Sequence, residues 1–292
     1  MRRSLLFIPA NNPNMIINGG ILGADSLIFD LEDAVSPDEK DAARDLLKNA
    51  LQTVNFRACE RIVRINGLDT PYWEDDLQVI LPERPDVILL PKTGSAADII
   101  ALDQKLSALE ARFGMTPGTT KVMALLETAQ GVENAFAIAG ASSRMIGLFL
   151  GAEDYAANIH CTRTIEGTEI LYARSKVVAA ARAADIEPYD TPFVHVNDLE
   201  GLEKDTHFAK SLGFSGKAAI SPGHISAINQ IFSPTAAEIA YAQEVFEALE
   251  EAKRKGKGAV ALRGKMIDAP IVMRARQILE MAAALEGDVL CE

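Results

Sequence analysis

The sequence predicts a TIM-type (β/α)8 barrel with a C-terminal helical lid extension. Three observations predict it. Eight short apolar, β-branched-rich runs recur over the first 232 residues, helical patterns separate them, and polar residues gather where the runs end. Eight β/α units in about 230 residues match the usual barrel size of ~250 residues. A doubly wound open sheet is the competing arrangement.

The runs are RSLLFIP (3–9), SLIFDLED (26–33), RIVRING (61–67), VILLPK (87–92), KVMALLET (121–128), MIGLFLGAED (145–154), PFVHV (192–196) and GKAAISP (216–222). Near-continuous apolarity marks strands buried on both faces, as in a parallel sheet. Between them, PDEKDAARDLLKNALQ and SAADIIALDQKLSALEARFG read as helices, the second stopped by Gly114. Residues 233–292 do not form another unit. Ser233-Pro234 opens a helix reaching about Lys255, KGKGAVALRG reads as a loop, and PIVMRARQILEMAAALEG is a final helix. The division is a barrel over 1–232 and an extension over 233–292 that folds over a face or onto a neighbouring subunit.

Composition bounds the function. The 292 residues are 48% apolar and 24% charged, as in ordinary globular proteins. No run approaches the ~20 apolar residues of a membrane span. MRRSLLFIPANNP carries two arginines before an apolar run, but that run breaks at Pro9 and is too short for a signal peptide. A net charge of −12 argues against nucleic acid and anionic membranes as partners. Cys59, Cys161 and Cys291 are odd in number and widely spaced, so neither a zinc site nor a disulfide framework is expected; a reducing cytoplasm is.

Strand ends carry the chemistry. Strand 2 ends in Asp30, Glu32 and Asp33, strand 3 in Arg64 and Asn66, and strand 4 in Lys92. Strand 5 ends in Glu127, strand 6 in Glu153 and Asp154, strand 7 in His195 and Asn197, and strand 8 in Ser221. In a barrel all of these meet at one rim. Glu127 and Asp154 close neighbouring strands with no histidine beside them, which suggests a hard divalent cation with open positions for an oxygen-rich substrate. Alternation along a strand puts Arg64 and Asn66 on one face, and lets only one of Glu153 and Asp154 point into the site. Each residue also has a structural reading. The acids suit helix N-caps, Arg64 suits an ion pair with one of them, Lys92 suits a solvated loop, and His160 and His195 suit structural roles.

The strings RSLLFIPANNPNM, LIFDLEDAVSPDEKDAAR, VRINGLDTPYWEDDL, VILLPKT, LLETAQGV, GAEDYAANIHCTRTIEGTE and GKMIDAPIVMRA together resemble the citrate lyase β branch of the HpcH/HpaI aldolase superfamily. That superfamily includes malyl-CoA lyases and acyl-CoA-dependent malate synthases. The likeness runs from Arg3 to the final helix, with departures at Ala10 and at ISPGH. It implies a TIM barrel holding Mg²⁺ on Glu127 and Asp154, a substrate-binding arginine at Arg64, and a further arginine at Arg3. It also implies a lid acid at Asp268 that reaches a neighbouring subunit's site. Ala152, Glu153 and Asp154, at the start of a helix, are expected to hold a second substrate carboxylate through backbone N–H groups.

The implied reaction is retro-Claisen cleavage of a citryl thioester, on CoA or an acyl carrier protein, to oxaloacetate and an acetyl thioester. Arg64, Glu127 and Asp268 would be the catalytic residues. The implied partners are transferase (α) and acyl-carrier (γ) subunits and further copies of the chain, as a trimer or a multiple of one. The alternatives are a stand-alone malyl-CoA or citramalyl-CoA lyase, an acyl-CoA-dependent malate synthase, and a non-catalytic scaffold barrel.

Overall fold

A computed structural model describes residues 1–57, 59–254 and 261–289, with side chains through 285. Cys291 and the first six residues of KGKGAVALRG lie outside the described residues. Contacts divide the chain into two compact units, Arg2–Asn229 and Gln230–Glu292, the latter with Met1.

The first unit is a closed barrel of eight parallel strands in chain order. They are β1 (Ser4–Pro9), β2 (Ser26–Asp30), β3 (Glu60–Arg64), β4 (Val87–Leu90), β5 (Lys121–Leu126), β6 (Met145–Leu150), β7 (Glu187–Asp190) and β8 (Gly216–Ala219). Closure comes from β1 against β8, with Leu5 opposite Ala218. Around the strands lie α1 (Pro13–Asn18), α2 (Lys40–Thr53), α3 (Trp73–Ile80), α4 (Ala96–Arg112), α5 (Ala129–Glu133), α6 (Ala135–Ala139), α7 (Ala152–Asn158), α8 (Leu171–Ala183), α9 (Leu199–Leu212) and α10 (Ile225–Phe232), which runs across the boundary between the units. Helix α4 starts with a capping box between Ser95 and Asp98, and Gly114, at φ +68°, follows its end. The barrel core is built from Leu5, Ile28, Ile62, Leu89, Leu125, Phe149, Tyr189 and Ala218, one or more inward side chains from every strand.

Two strand assignments change. The seventh strand is EPYD, whereas PFVHV is a loop that leaves Val194 and Val196 exposed. EPYD escapes a hydropathy reading because its outward Asp190 is neutralised in the fold: Arg174 donates to both of its oxygens at 2.9 Å, and Lys217 lies 2.6 Å away. Tyr189 points inward, its ring centroid 5.2 Å from that of Phe149. The sixth strand stops at Leu150, so Asp154 sits on the first turn of α7 instead of at a strand end.

The second unit packs α11 (Ala236–Arg254) against α12 (Ala269–Val289) around Ala242, Val245, Ile267 and Ala275. Its first helix is capped by Thr235, not Ser233. The Thr235 hydroxyl accepts from the Glu238 N–H at 3.2 Å, and the Glu238 carboxylate accepts from the Thr235 N–H at 2.7 Å. Ala261–Leu262 and Lys265–Met266 pair as a small antiparallel hairpin, β9–β10, where the sequence suggested only loop. Among the described residues no helix is long and apolar enough to cross a membrane.

Candidate metal and substrate site

The alternation that sends Ile28, Ile62, Leu125 and Phe149 into the core sends Asp30, Arg64, Glu127 and Gly151 inward one layer higher, at the carboxyl end of the barrel. Glu127 is buried at 1% exposure, and its Oε1 accepts the backbone N–H of Lys92 at 2.6 Å. Lys92 makes that bond from a left-handed backbone, φ +50°, a conformation costly for a side-chain-bearing residue. Gly151 completes the space. A Cβ there would stand 2.7 Å from Glu127 Oε2, so only glycine lets the carboxylate occupy its position.

Burial, and then the nearby carboxylates of Glu32 and Asp154, push the Glu127 carboxyl up to about 8 against the opposing pull of the Lys92 N–H and Arg64. Burial likewise raises Glu32, although Arg64 and Lys92 act against it. Arg64 donates through Nε and Nη2 to Asp30 at 2.7 and 2.6 Å, and its Nη1 lies 3.0 Å from Glu32. Its guanidinium rests over the Phe7 ring, 5.1 Å from the centroid. Burial disfavours the Arg64 charge, but Asp30, Glu32 and Glu127 outweigh it and raise the pKa. The Lys92 ammonium is 2.7 Å from Glu32 and 3.6 Å from Asp33.

Five carboxylates (Asp30, Glu32, Asp33, Glu127 and Asp154) therefore share a rim with two cations, Arg64 and Lys92. Formally the five acids outnumber the two cations, and both cations are paired with Asp30, Glu32 and Asp33. A divalent cation would offset that excess charge, and Glu127 and Asp154 are the expected ligands, Asp154 being close enough to act on the Glu127 carboxyl. Among the described residues no three His, Cys, Asp or Glu side chains form a fuller ligand set. Two protein carboxylates with the remaining positions left to substrate and water suit Mg²⁺.

Several sequence expectations change here. Arg3 stands at the amino end of β1, the opposite rim from Glu127, where its N–H, Nε and Nη2 bond Asp25 at 2.7–2.9 Å. There it clamps the bottom of the barrel, on the rim away from Glu127. The Ala152 N–H, expected to face a substrate carboxylate, donates to the Thr191 hydroxyl at 3.2 Å. Glu153 is turned to Arg163 at 3.0 Å, leaving Asp154 as the member of the pair that acts electrostatically on Glu127. Asn66 bonds Asp76 and the Leu31 carbonyl instead of the Asp30 and Glu32 carboxylates that hold Arg64. Asp268 lies in the second unit, where its Oδ1 accepts the Ile271 N–H at 3.2 Å at the start of α12. Glu32 and Lys92 gain most. Sequence placed both at strand ends without giving them a task, although DLED spacing and a lysine after Leu-Pro were the available signals.

Residues 3–222 match the HpcH/HpaI aldolase/citrate lyase family. The chain belongs to that family. Membership makes it a lyase. The citrate lyase subunit beta of Leuconostoc mesenteroides subsp. cremoris is 47% identical over 284 residues, 97% of this chain and 94% of that protein. The L-malyl-CoA/beta-methylmalyl-CoA lyase of Cereibacter sphaeroides is 35% identical over 98% of this chain and 96% of its own length. Among solved structures, the protein CitE from Mycobacterium tuberculosis in complex with magnesium, acetoacetate and coenzyme A superposes with a TM-score of 0.78 at 29% identity, covering 97% of this chain and 98% of that one.

Proposed function

We propose that this chain is a Mg²⁺-dependent carbon–carbon lyase that cleaves a citryl thioester into oxaloacetate and an acetyl thioester. The observation that carries the reading is the buried Glu127 carboxylate, crowded by Glu32 and Asp154 and raised to about 8 beside the Arg64 guanidinium. Similarity to citrate lyase beta subunits over nearly the whole chain, well above that to malyl-CoA lyases, supports the citryl over the malyl substrate. The magnesium and coenzyme A of the related mycobacterial structure support the metal and the thioester.

Cleavage requires the substrate's tertiary hydroxyl to lose its proton, the carbon–carbon bond to break toward the thioester, and the resulting enolate carbon to take up a proton. Mg²⁺ held by Glu127 and Asp154 would supply Lewis acidity to the hydroxyl and an adjacent carboxylate. Arg64, fixed by Asp30 through its Nε–Nη2 edge, presents its remaining N–H groups and charge to the substrate, so its grip is end-on and not through the bidentate edge. Lys92, about half exposed beside Glu32, adds a second cation for a substrate that carries several carboxylates. Asp268, in a second copy's lid, would deliver the proton to the enolate carbon. In the full citrate cycle, transferase and acyl-carrier subunits would supply the citryl group and a trimer or its multiple would complete each site.

The test uses the purified full chain with citryl-CoA, malyl-CoA and citramalyl-CoA, with and without acyl carrier protein, in Mg²⁺ and in EDTA. Metal-dependent release of oxaloacetate from the citryl thioester is expected. Turnover confined to malyl-CoA would move the chain to the malyl-CoA lyase reading.

A further inference from the structure

We infer that Thr191 is a positioning residue that sets where Asp154 stands relative to Glu127; this rests on the metal reading proposed above. Helix α7 carries Asp154 in its first turn, and its N-cap position is Gly151. A helix start normally places Ser, Thr, Asp or Asn there, whose side-chain oxygen satisfies an early N–H. Here that choice is closed. Any Cβ at 151 would press on the Glu127 carboxylate at 2.7 Å, so the residue that makes room for Glu127 cannot cap the helix carrying Asp154.

Thr191 supplies an oxygen from the end of the neighbouring strand to the first N–H of the helix, one position before the N–H groups that a cap side chain would satisfy. It follows β7 on the inward register after Tyr189, is 1% exposed, and accepts the Ala152 N–H at 3.2 Å. Its own backbone is held in turn, since the Lys217 ammonium donates to the Thr191 carbonyl at 2.7 Å. Lys217 is fully buried with Asp190 and Asp205, each at 2.6 Å, and Arg174 bonds both acids. Two buried cations thus meet two acids in a neutral cluster between the barrel wall and α8 and α9. Such a cluster is rigid because breaking any member leaves an uncompensated charge. The chain of contacts runs from this cluster through Thr191 to Ala152, and then along two helical residues to Asp154.

Metal sites are weakened when groups orienting their ligands are removed, typically 10–100-fold in affinity. Thr191→Val keeps shape and removes the hydroxyl, whereas Thr191→Ser keeps the hydroxyl. Calorimetric titration of the full chain with Mg²⁺, repeated with Mn²⁺, should give affinity at least ~10-fold weaker for Thr191→Val and near wild type for Thr191→Ser. In the metal-free wild type, the Ala152 amide should be protected from hydrogen exchange, a measurement that requires no variant to fold. Wild-type affinity in Thr191→Val, or an unprotected Ala152 amide, overturns the proposal alone. If Glu127→Gln also leaves metal binding unchanged, the metal reading itself fails and this proposal falls with it.

Discussion

The backbone N–H of Lys92 donates to Glu127 at 2.6 Å while the ammonium of the same residue lies 2.7 Å from Glu32. One residue thus serves two neighbouring acids through different atoms, from a left-handed backbone. Lys92→Gly separates the two services. Glycine adopts φ > 0 without strain and keeps the N–H, so the Glu127 contact survives and only the charge is lost. We expect a melting temperature close to wild type and a KM for the anionic thioester raised about tenfold, the scale of one charge-assisted hydrogen bond. Unchanged KM would show that the ammonium only neutralises Glu32.

Burial and the nearby Glu32 and Asp154 carboxylates make a charged Glu127 costly to the fold. Glu127→Gln keeps size and the acceptor oxygen for Lys92, and removes repulsion with Glu32 and Asp154. In EDTA at pH 8 the variant should therefore be more stable than wild type, by about 1–3 kcal/mol in denaturant unfolding, the trade seen when functional sites are neutralised. Mg²⁺ should then stabilise only the wild type. Equal Mg²⁺-dependent shifts in both proteins would remove Glu127 from the metal site.

Arg64→Lys retains a charge but loses the planar fork that grips both oxygens of Asp30. The lysine has no second nitrogen with which to bridge Asp30 and Glu32. We expect turnover to fall at least ~10²-fold, the worth of one well-placed stabilising donor. A kcat within a few-fold of wild type would take Arg64 out of the chemistry.

The barrel was legible because buried parallel strands advertise themselves by unbroken apolar runs; β2 and β4 are buried at every position. That Glu127 and Arg64 come near one another was legible for a related reason, since residues at the carboxyl ends of parallel strands have one rim to occupy. What hydropathy misses is charge cancelled by distant partners. EPYD has no apolar run to mark it, and its place in the sheet is explained only once Arg174 and Lys217 are seen on Asp190. The place of Arg3 was legible too, since a residue at the start of a parallel strand lies on the amino rim, but its Asp25 partner was not. The role of Thr191 is invisible in sequence, as its partner is a backbone N–H 39 residues away.

The loop after α7 predicts an acid dependence. Burial disfavours the Glu169 charge, but the Thr164 N–H and hydroxyl and the Arg163 guanidinium outweigh it and hold the carboxyl down at about 2. A carboxylate depressed in the folded state adds stability above its unfolded pKa, ~4.3, and loses it as pH falls toward the folded value. Glu169→Gln should thus cost up to about 3 kcal/mol near neutrality. The gap from wild type should shrink by roughly half between about pH 5 and pH 3. A gap constant over that range would mean that Glu169 acts through packing instead of charge.

Asp268→Asn tests the proposed role of this acid without disturbing the start of α12. The side chain caps α12 by accepting the Ile271 N–H, and asparagine caps a helix as well as aspartate does. The substitution removes only the exchangeable carboxyl proton, so the melting temperature and oligomeric state should match wild type. If Asp268 delivers the proton to the enolate carbon, kcat should fall by about 10²–10⁴-fold, the contribution of a positioned acid or base, with metal affinity unchanged. Solvent deuterium should still enter the acetyl methyl group, but slowly. Normal turnover by a normally assembled Asp268→Asn protein would assign that proton to another donor and leave the residue as a cap alone.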